Sequence, residues 1–343
     1  MRNKNFLLIC LFTLNILLFN NIFPQELKFV QLGDFKLVSG EYIKDCRIGY
    51  RTFGTLNKDK SNIVLMPTWA SGVSLQLSSN IGKGKLIDSS RYYVIAVDAL
   101  CNGVSSSPSN SILQPRMNFP EVTIADMVNS QYTLLTKFFN LNHIKAVVGT
   151  SMGGMQAFQW MISYPDFMDK VIPIVGSTRL TPYDLVLHNA VIRSIMTDPG
   201  WNNGNYTENP ARAAEAEFNA LILTTPEDLN KKMTRDNIFR ELEKAKDQKG
   251  FDSNDKIRQT RAMMSLDISK DFGGSMEKTA KAVKAKTLII VALKDRIVNP
   301  VPAMEFGDLL KAKVIELNSD CGHLAPGCES EKVNKAISDF LGE

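Results

Sequence analysis

Histidine and tryptophan are scarce in this chain, three of each in 343 residues, and there are five cysteines. None of the histidines, His143, His188 and His323, stands at ligand spacing from another, and no C-x-x-C pair occurs, so no metal-binding pattern is present. Charge is nearly balanced at +4. Lys and Arg are scattered, with no basic run interleaved with aromatics, which argues against a nucleic-acid partner. No internal repeat or low-complexity tract occurs. A phosphate-cradling loop is missing too: Gly82-Lys83-Gly84-Lys85 has no strand before it and no Ser or Thr after it.

Long apolar runs are confined to the amino end. Arg2 and Lys4 precede an uncharged stretch from Phe6 to Phe19, and Asn20, Asn21, Pro24 and Gln25-Glu26 follow. A basic start, a short apolar run and a polar exit read as a secretory signal over residues 1–25, with a membrane anchor as the alternative. The run is shorter than the ~20 residues that comfortably span a bilayer. The expected location is therefore periplasmic or secreted. Four cysteines lie beyond this segment: Cys46, Cys101, Cys321 and Cys328. An even count in an exported chain permits disulfides. Cys321 and Cys328 flank His323, and either a bond between them or two buried thiols fits the spacing.

With 44% hydrophobic residues the chain can build one large core with a substantial insertion. Residues 27–55 read as a β-hairpin region. Short continuous apolar runs at Ser61–Trp69, Arg91–Leu100, Ile144–Gly149, Met168–Ser177, Lys286–Leu293 and Lys313–Leu317 suit buried strands. Ile124, Met127, Val128, Tyr132, Leu135 and Phe139 follow helical spacing, which predicts an amphipathic helix over 122–140. Strands alternating with helices imply an α/β class with a mostly parallel sheet covered on both faces. Residues 181–284 show no clear strand. They predict a helical lid inserted into a core formed by 26–180 and 285–343, over the sheet edge where ligands bind in open α/β folds.

The chemistry centres on Gly149-Thr150-Ser151-Met152-Gly153, a G-x-S-x-G run between a predicted strand and a predicted helix. Such a turn holds its serine in a strained conformation and lifts the hydroxyl above the sheet. A serine needs a base to take its proton. His143 lies at the amino end of the Ser151 strand and cannot reach it. His188 falls in the helical insertion. His323 follows the last strand, so Ser151 and His323 are the expected nucleophile and base. The chain order Ser…acid…His then asks for a carboxylate after the insertion. Asp295, at the end of a strand, is the expected acid, and Asp320 is the competitor. The expected oxyanion donors are the N–H groups of Met152 and of Ala70, with Trp69 as the alternative to Ala70.

The run GTSMGGMQAFQW, together with RIGYRTFGTLN, FPEVTIADMVNSQ and TDPGWNNGNY, resembles homoserine O-acetyltransferases, and the similarity extends over nearly all of the chain beyond residue 25. That resemblance implies an α/β-hydrolase fold, a helical lid that often dimerises, an acetyl transfer from acetyl-CoA, and Ser151, Asp295 and His323 at the triad positions. Two departures bear on substrate. Where the family carries a carboxylate-binding arginine this chain has Ile192, with Arg193 as its neighbour. Where the family has an aspartate after the catalytic histidine, this chain has Leu324. Pro67-Thr68-Trp69 also replaces the family's histidine and small residues. Losing both ion-pairing groups costs a zwitterionic substrate several kcal/mol, and an exported enzyme meets little acetyl-CoA. The expectation is a serine acyl hydrolase, esterase-like, acting on a small ester or acyl substrate through an acyl-enzyme. It would need no cofactor or metal, acetyl-CoA serving as co-substrate only if the enzyme is a transferase. An acyl-CoA-dependent O-acyltransferase and a non-catalytic binding protein on the same fold are the alternatives.

Overall fold

A computed structural model describes residues 25–210, 212–247 and 250–343. The segment read as a signal or anchor falls almost wholly outside these residues.

Eight strands form one sheet in the order β1-β2-β4-β3-β5-β6-β7-β8. β1 (Lys28–Lys36) and β2 (Tyr42–Phe53) are the predicted hairpin, and β2 runs antiparallel to β4 (Tyr93–Val97). From there the sheet is parallel: β3 (Ile63–Pro67), β5 (Ile144–Thr150), β6 (Met168–Ile174), β7 (Lys286–Ala292) and β8 (Lys313–Leu317). Beyond Lys145, Asp169 and Lys170 near their amino ends, the central strands β5 and β6 are largely apolar, because helices cover both faces of the sheet. Side chains alternate between two cores. Leu65, Val147 and Ile289 meet Met127 and Val128 of α2 (Ile124–Thr133), Phe158 and Trp160 of α3 (Met152–Ser163), and Phe306 of α10 (Val301–Leu310). Val64, Val148 and Ile290 meet Leu77 of α1 (Ser74–Leu77) and Val333, Ile337 and Phe340 of α12 (Ser330–Gly342).

The helix expected over 122–140 is capped by Thr123, whose hydroxyl accepts from the Asp126 N–H, and continues past α2 as a wider π turn to Phe138. Among the described residues no strand occurs between β6 and β7. That stretch holds α4 (Pro182–Met196), α5 (Arg212–Ile222), α6 (Pro226–Lys232), α7 (Ile238–Asp247), α8 (Ser253–Met264) and α9 (Met276–Ala282). α9 packs against α10 in the layer beside the sheet, so the helices over the sheet edge are drawn from α4 to α8. The remaining short helix, α11 (Ala325–Cys328), follows β8.

Candidate active site

The bend between β5 and α3 is as tight as two chains can be brought. A Cβ on Gly149 would stand 2.0 Å from the Gly153 carbonyl oxygen, and one on Gly153 would stand 2.7 Å from that of Pro67. Both positions therefore require glycine, which is the physical content of the G-x-S-x-G spacing. Between them Ser151 takes φ 57° and ψ −122°. A residue with a side chain is strained there by on the order of 1–3 kcal/mol, sustained by the surrounding fold. Its N–H donates to Ile174 O at 2.8 Å, and its carbonyl accepts from Met155 N at 3.0 Å.

His323 lies on the turn after β8. Its Nε2 stands 2.9 Å from Ser151 Oγ and its Nδ1 stands 2.6 Å from Asp295 Oδ2. The histidine side chain is only 8% exposed and the aspartate 2%, so the pair is shielded from water. The second oxygen of Asp295 accepts from Ile297 N at 2.9 Å and Val298 N at 3.0 Å, which fixes the carboxylate. Asp320, the competing acid, faces away. It bonds Lys231 and Lys294, and those two ammonium groups hold its carboxyl down to about 2. His143 pairs with Asp169 on the surface. Cys321 and Cys328 are joined as a disulfide that spans the turn carrying His323, while Cys46 and Cys101 are free and buried.

Met152 opens α3, so its N–H is one of the donors a helix leaves unpaired in its first turn. Neither it nor the N–H of Ala70 meets a backbone acceptor among the described residues. The 69–72 loop is held by Gln259 of α8. Its Oε1 accepts from Ser71 N at 2.8 Å, and its Nε2 donates to Leu100 O at 3.2 Å. Nothing in the sequence marks this glutamine, which sits in a polar helix far along the chain.

Ser151 and His323 floor a cavity of about 750 Å³. Its walls are largely apolar, with Trp69, Phe218, Ile222 and Met263 among them, and Lys256 and Glu215 pair at 2.6 Å on its rim. From α4 it is His188 and Val191 that line the cavity. Ile192 packs instead with Ile195, Trp201 and Ile257, and Arg193 is exposed to solvent. Leu324 contributes an apolar edge. Among the described residues no group of three potential ligands is placed to hold a metal ion.

A nucleophile at a strained strand-to-helix bend, a buried histidine behind it and a carboxylate behind the histidine define a hydrolase site on a doubly covered parallel sheet. The family model described as alpha/beta hydrolase fold matches residues 63–326, and the chain belongs to that family. An ethyl acetate hydrolase of Pseudomonas veronii is 33% identical over 289 residues, covering 80% of this chain and 81% of its own. A homoserine O-acetyltransferase of Methanosalsum zhilinae is 30% identical, covering 92% of this chain and 73% of its own. The crystal structure of an acetylester hydrolase from Corynebacterium glutamicum superposes with a TM-score of 0.86 at 26% identity, over 93% of this chain and 96% of that one. The protein is thus an enzyme of the α/β-hydrolase superfamily, an esterase-like serine hydrolase or acyltransferase and a divergent relative of the homoserine O-acetyltransferases.

Proposed function

We propose that the protein hydrolyses small acyl esters through an acyl-enzyme on Ser151. The observation that carries this reading is the unbroken line of hydrogen bonds from Ser151 Oγ through His323 to Asp295 at the floor of the cavity. His323 Nε2 takes the Ser151 proton as Oγ attacks the ester carbonyl carbon. The resulting oxyanion lies between the N–H groups of Met152 and Ala70, each such donor contributing about 3 kcal/mol to the transition state. His323 then protonates the departing alcohol, and the ester C–O bond breaks to leave the acyl-enzyme. A water gives its proton to His323 and attacks that acyl group, releasing the acid and restoring Ser151. Asp295 keeps the ring in the tautomer that presents a bare Nε2 and stabilises the imidazolium.

Water as the acceptor is supported by the cavity's chemistry. Arg193 points to solvent and Leu324 is apolar, so neither the α4 position nor the residue after His323 offers the ion pairs a zwitterionic acceptor needs. Turnover of p-nitrophenyl acetate without any added thiol ester tests the reading. Acetylation of homoserine by acetyl-CoA, with no ester hydrolysis, would overturn it in favour of the transferase. Acetyl-CoA enters only in that second reading, which the homoserine O-acetyltransferase relatives support.

The Cys321–Cys328 disulfide supports an oxidising location, consistent with export directed by the amino-terminal segment. Fractionation of cells expressing the whole chain tests this. Exposed Val186 on α4 and Phe239 on α7 support self-association through the inserted helices, which sedimentation at several concentrations would detect.

A further inference from the structure

His188 has no part in the proton path, yet it lines the same cavity as Ser151 and His323 and is only 6% exposed. Its Nε2 is buried, and among the described residues no group is hydrogen-bonded to it. A buried acceptor without a donor costs on the order of 1–3 kcal/mol, so its persistence in a ligand cavity calls for a partner that arrives with the ligand.

The helix that carries the ring is anchored. Asp184, one turn earlier on α4, caps the helix by accepting from Thr181 N at 2.9 Å and Thr181 Oγ1 at 2.8 Å, and its other oxygen accepts from Asn299 N at 3.2 Å. That last bond ties α4 to the loop that carries Asp295. Residues four apart share a helix face, so His188 is presented toward the same loop. Ile297 of that loop lines the cavity beside His188, its N–H given to Asp295. Burial keeps the ring neutral, its pKa pushed down to about 4. A neutral imidazole keeps a lone-pair acceptor on one of its two nitrogens.

The side of the cavity follows from the chemistry. A leaving oxygen must come within reach of His323 Nε2 to be protonated, so the alcohol half of the ester lies on the His323 flank, away from the oxyanion donors at Met152 and Ala70. His188 stands on that flank, on the helix that Asp184 ties to the Asp295 loop.

The geometry points to His188 as the specificity residue for the alcohol half, its Nε2 accepting from a second hydroxyl on that alcohol. This rests on the esterase reading above and names its substrate class: monoesters of small diols or polyols, preferred over the matching alkyl esters. A site whose acceptor goes unpaired with the alkyl ester discriminates against it, whereas a purely apolar pocket would not favour the hydroxyl.

The test compares monoacetates of ethylene glycol, 1,3-propanediol and 1,4-butanediol with propyl, butyl and pentyl acetates, each pair differing by OH for CH3. The wild-type protein is expected to favour the hydroxylated member in kcat/KM by about tenfold or more at one chain length or more. His188→Phe should bring that ratio to one or below, and His188→Gln, which keeps an acceptor, should retain part of it. If p-nitrophenyl acetate and all six esters are hydrolysed without preference for the hydroxyl, the assignment of His188 is wrong while the esterase reading stands. A preference that His188→Phe leaves intact overturns the assignment equally. If none of the esters is hydrolysed, both readings fail together.

Discussion

Gln259 Oε1 accepts the Ser71 N–H at 2.8 Å across 188 residues of chain. It joins α8 of the inserted segment to the loop that presents Ala70, so the helices over the cavity also set the shape of the loop proposed to supply an oxyanion donor. Gln259→Leu removes that acceptor and leaves the Ser71 N–H buried beside an apolar group. The expected result is a fall in kcat of about 10- to 100-fold on p-nitrophenyl acetate, with KM changed much less, because the loop acts on the transition state. A variant with unchanged kcat would show that the 69–72 loop holds its shape unaided.

Ser151→Ala should lower turnover by on the order of 10⁴ or more and abolish labelling by a fluorophosphonate probe. Labelling that survives the substitution would mean that another residue is the nucleophile.

Asp295 and Asp320 make a paired comparison. Asp295→Asn should reduce kcat by about 10⁴, since the amide favours the wrong tautomer of His323. Asp320→Asn loses only exposed ion pairs to Lys231 and Lys294, which water screens, and should leave kcat within a few-fold. Steady-state rates on one ester decide between them, and the reverse ranking would reassign the acid.

The disulfide closes a short loop around His323. In the chain-entropy account it stabilises the fold by roughly 2–3 kcal/mol. The Cys321→Ser, Cys328→Ser double variant should melt at lower temperature and lose activity ahead of global unfolding, as the turn carrying the base loosens. Calorimetry beside an activity-versus-temperature curve reads both effects. Coincident melting and activity loss, at the wild-type temperature, would show the bond to be dispensable.

His188 gives stability a pH dependence. Burial, with smaller effects from His323 and Lys256, pushes its pKa down to about 4 against the opposing effects of Asp184 and the Ile297 backbone. In the unfolded chain the ring protonates near pH 6.5. Between these values the unfolded state binds more protons, so stability rises with pH and is lost as the pH falls from about 6.5 toward 4. Urea denaturation at pH 7 and pH 5 should show the wild type losing roughly 2 kcal/mol more than His188→Gln, whose amide does not titrate. Equal losses in the two proteins would place the ring in contact with water.

Some of this molecule was determined locally. The strands at 63–67, 144–150 and 286–292 are continuous apolar runs, and their burial on both faces follows from that composition alone. The bend at Ser151 is local in part: the carbonyl of Gly153 in the same turn demands Gly149, whereas Gly153 is demanded by Pro67 of β3, far earlier in the chain. Chain order favours Asp295 as the acid but keeps Asp320 as a competitor, and the spacing of Cys321 and Cys328 fits a bond and two buried thiols alike. The first depends on how the loops after β7 and β8 lie relative to one another and the second on the path of the single turn after β8, separations of a few Å that chain position does not encode. The turn of α4 that brings His188 and Val191 to the cavity while burying Ile192 elsewhere, and the reach of Gln259 to Ser71, belong to the same class. A side chain's chemistry is written in the sequence, but its partner is chosen by the packing of helices whose rotation and placement only the assembled core decides.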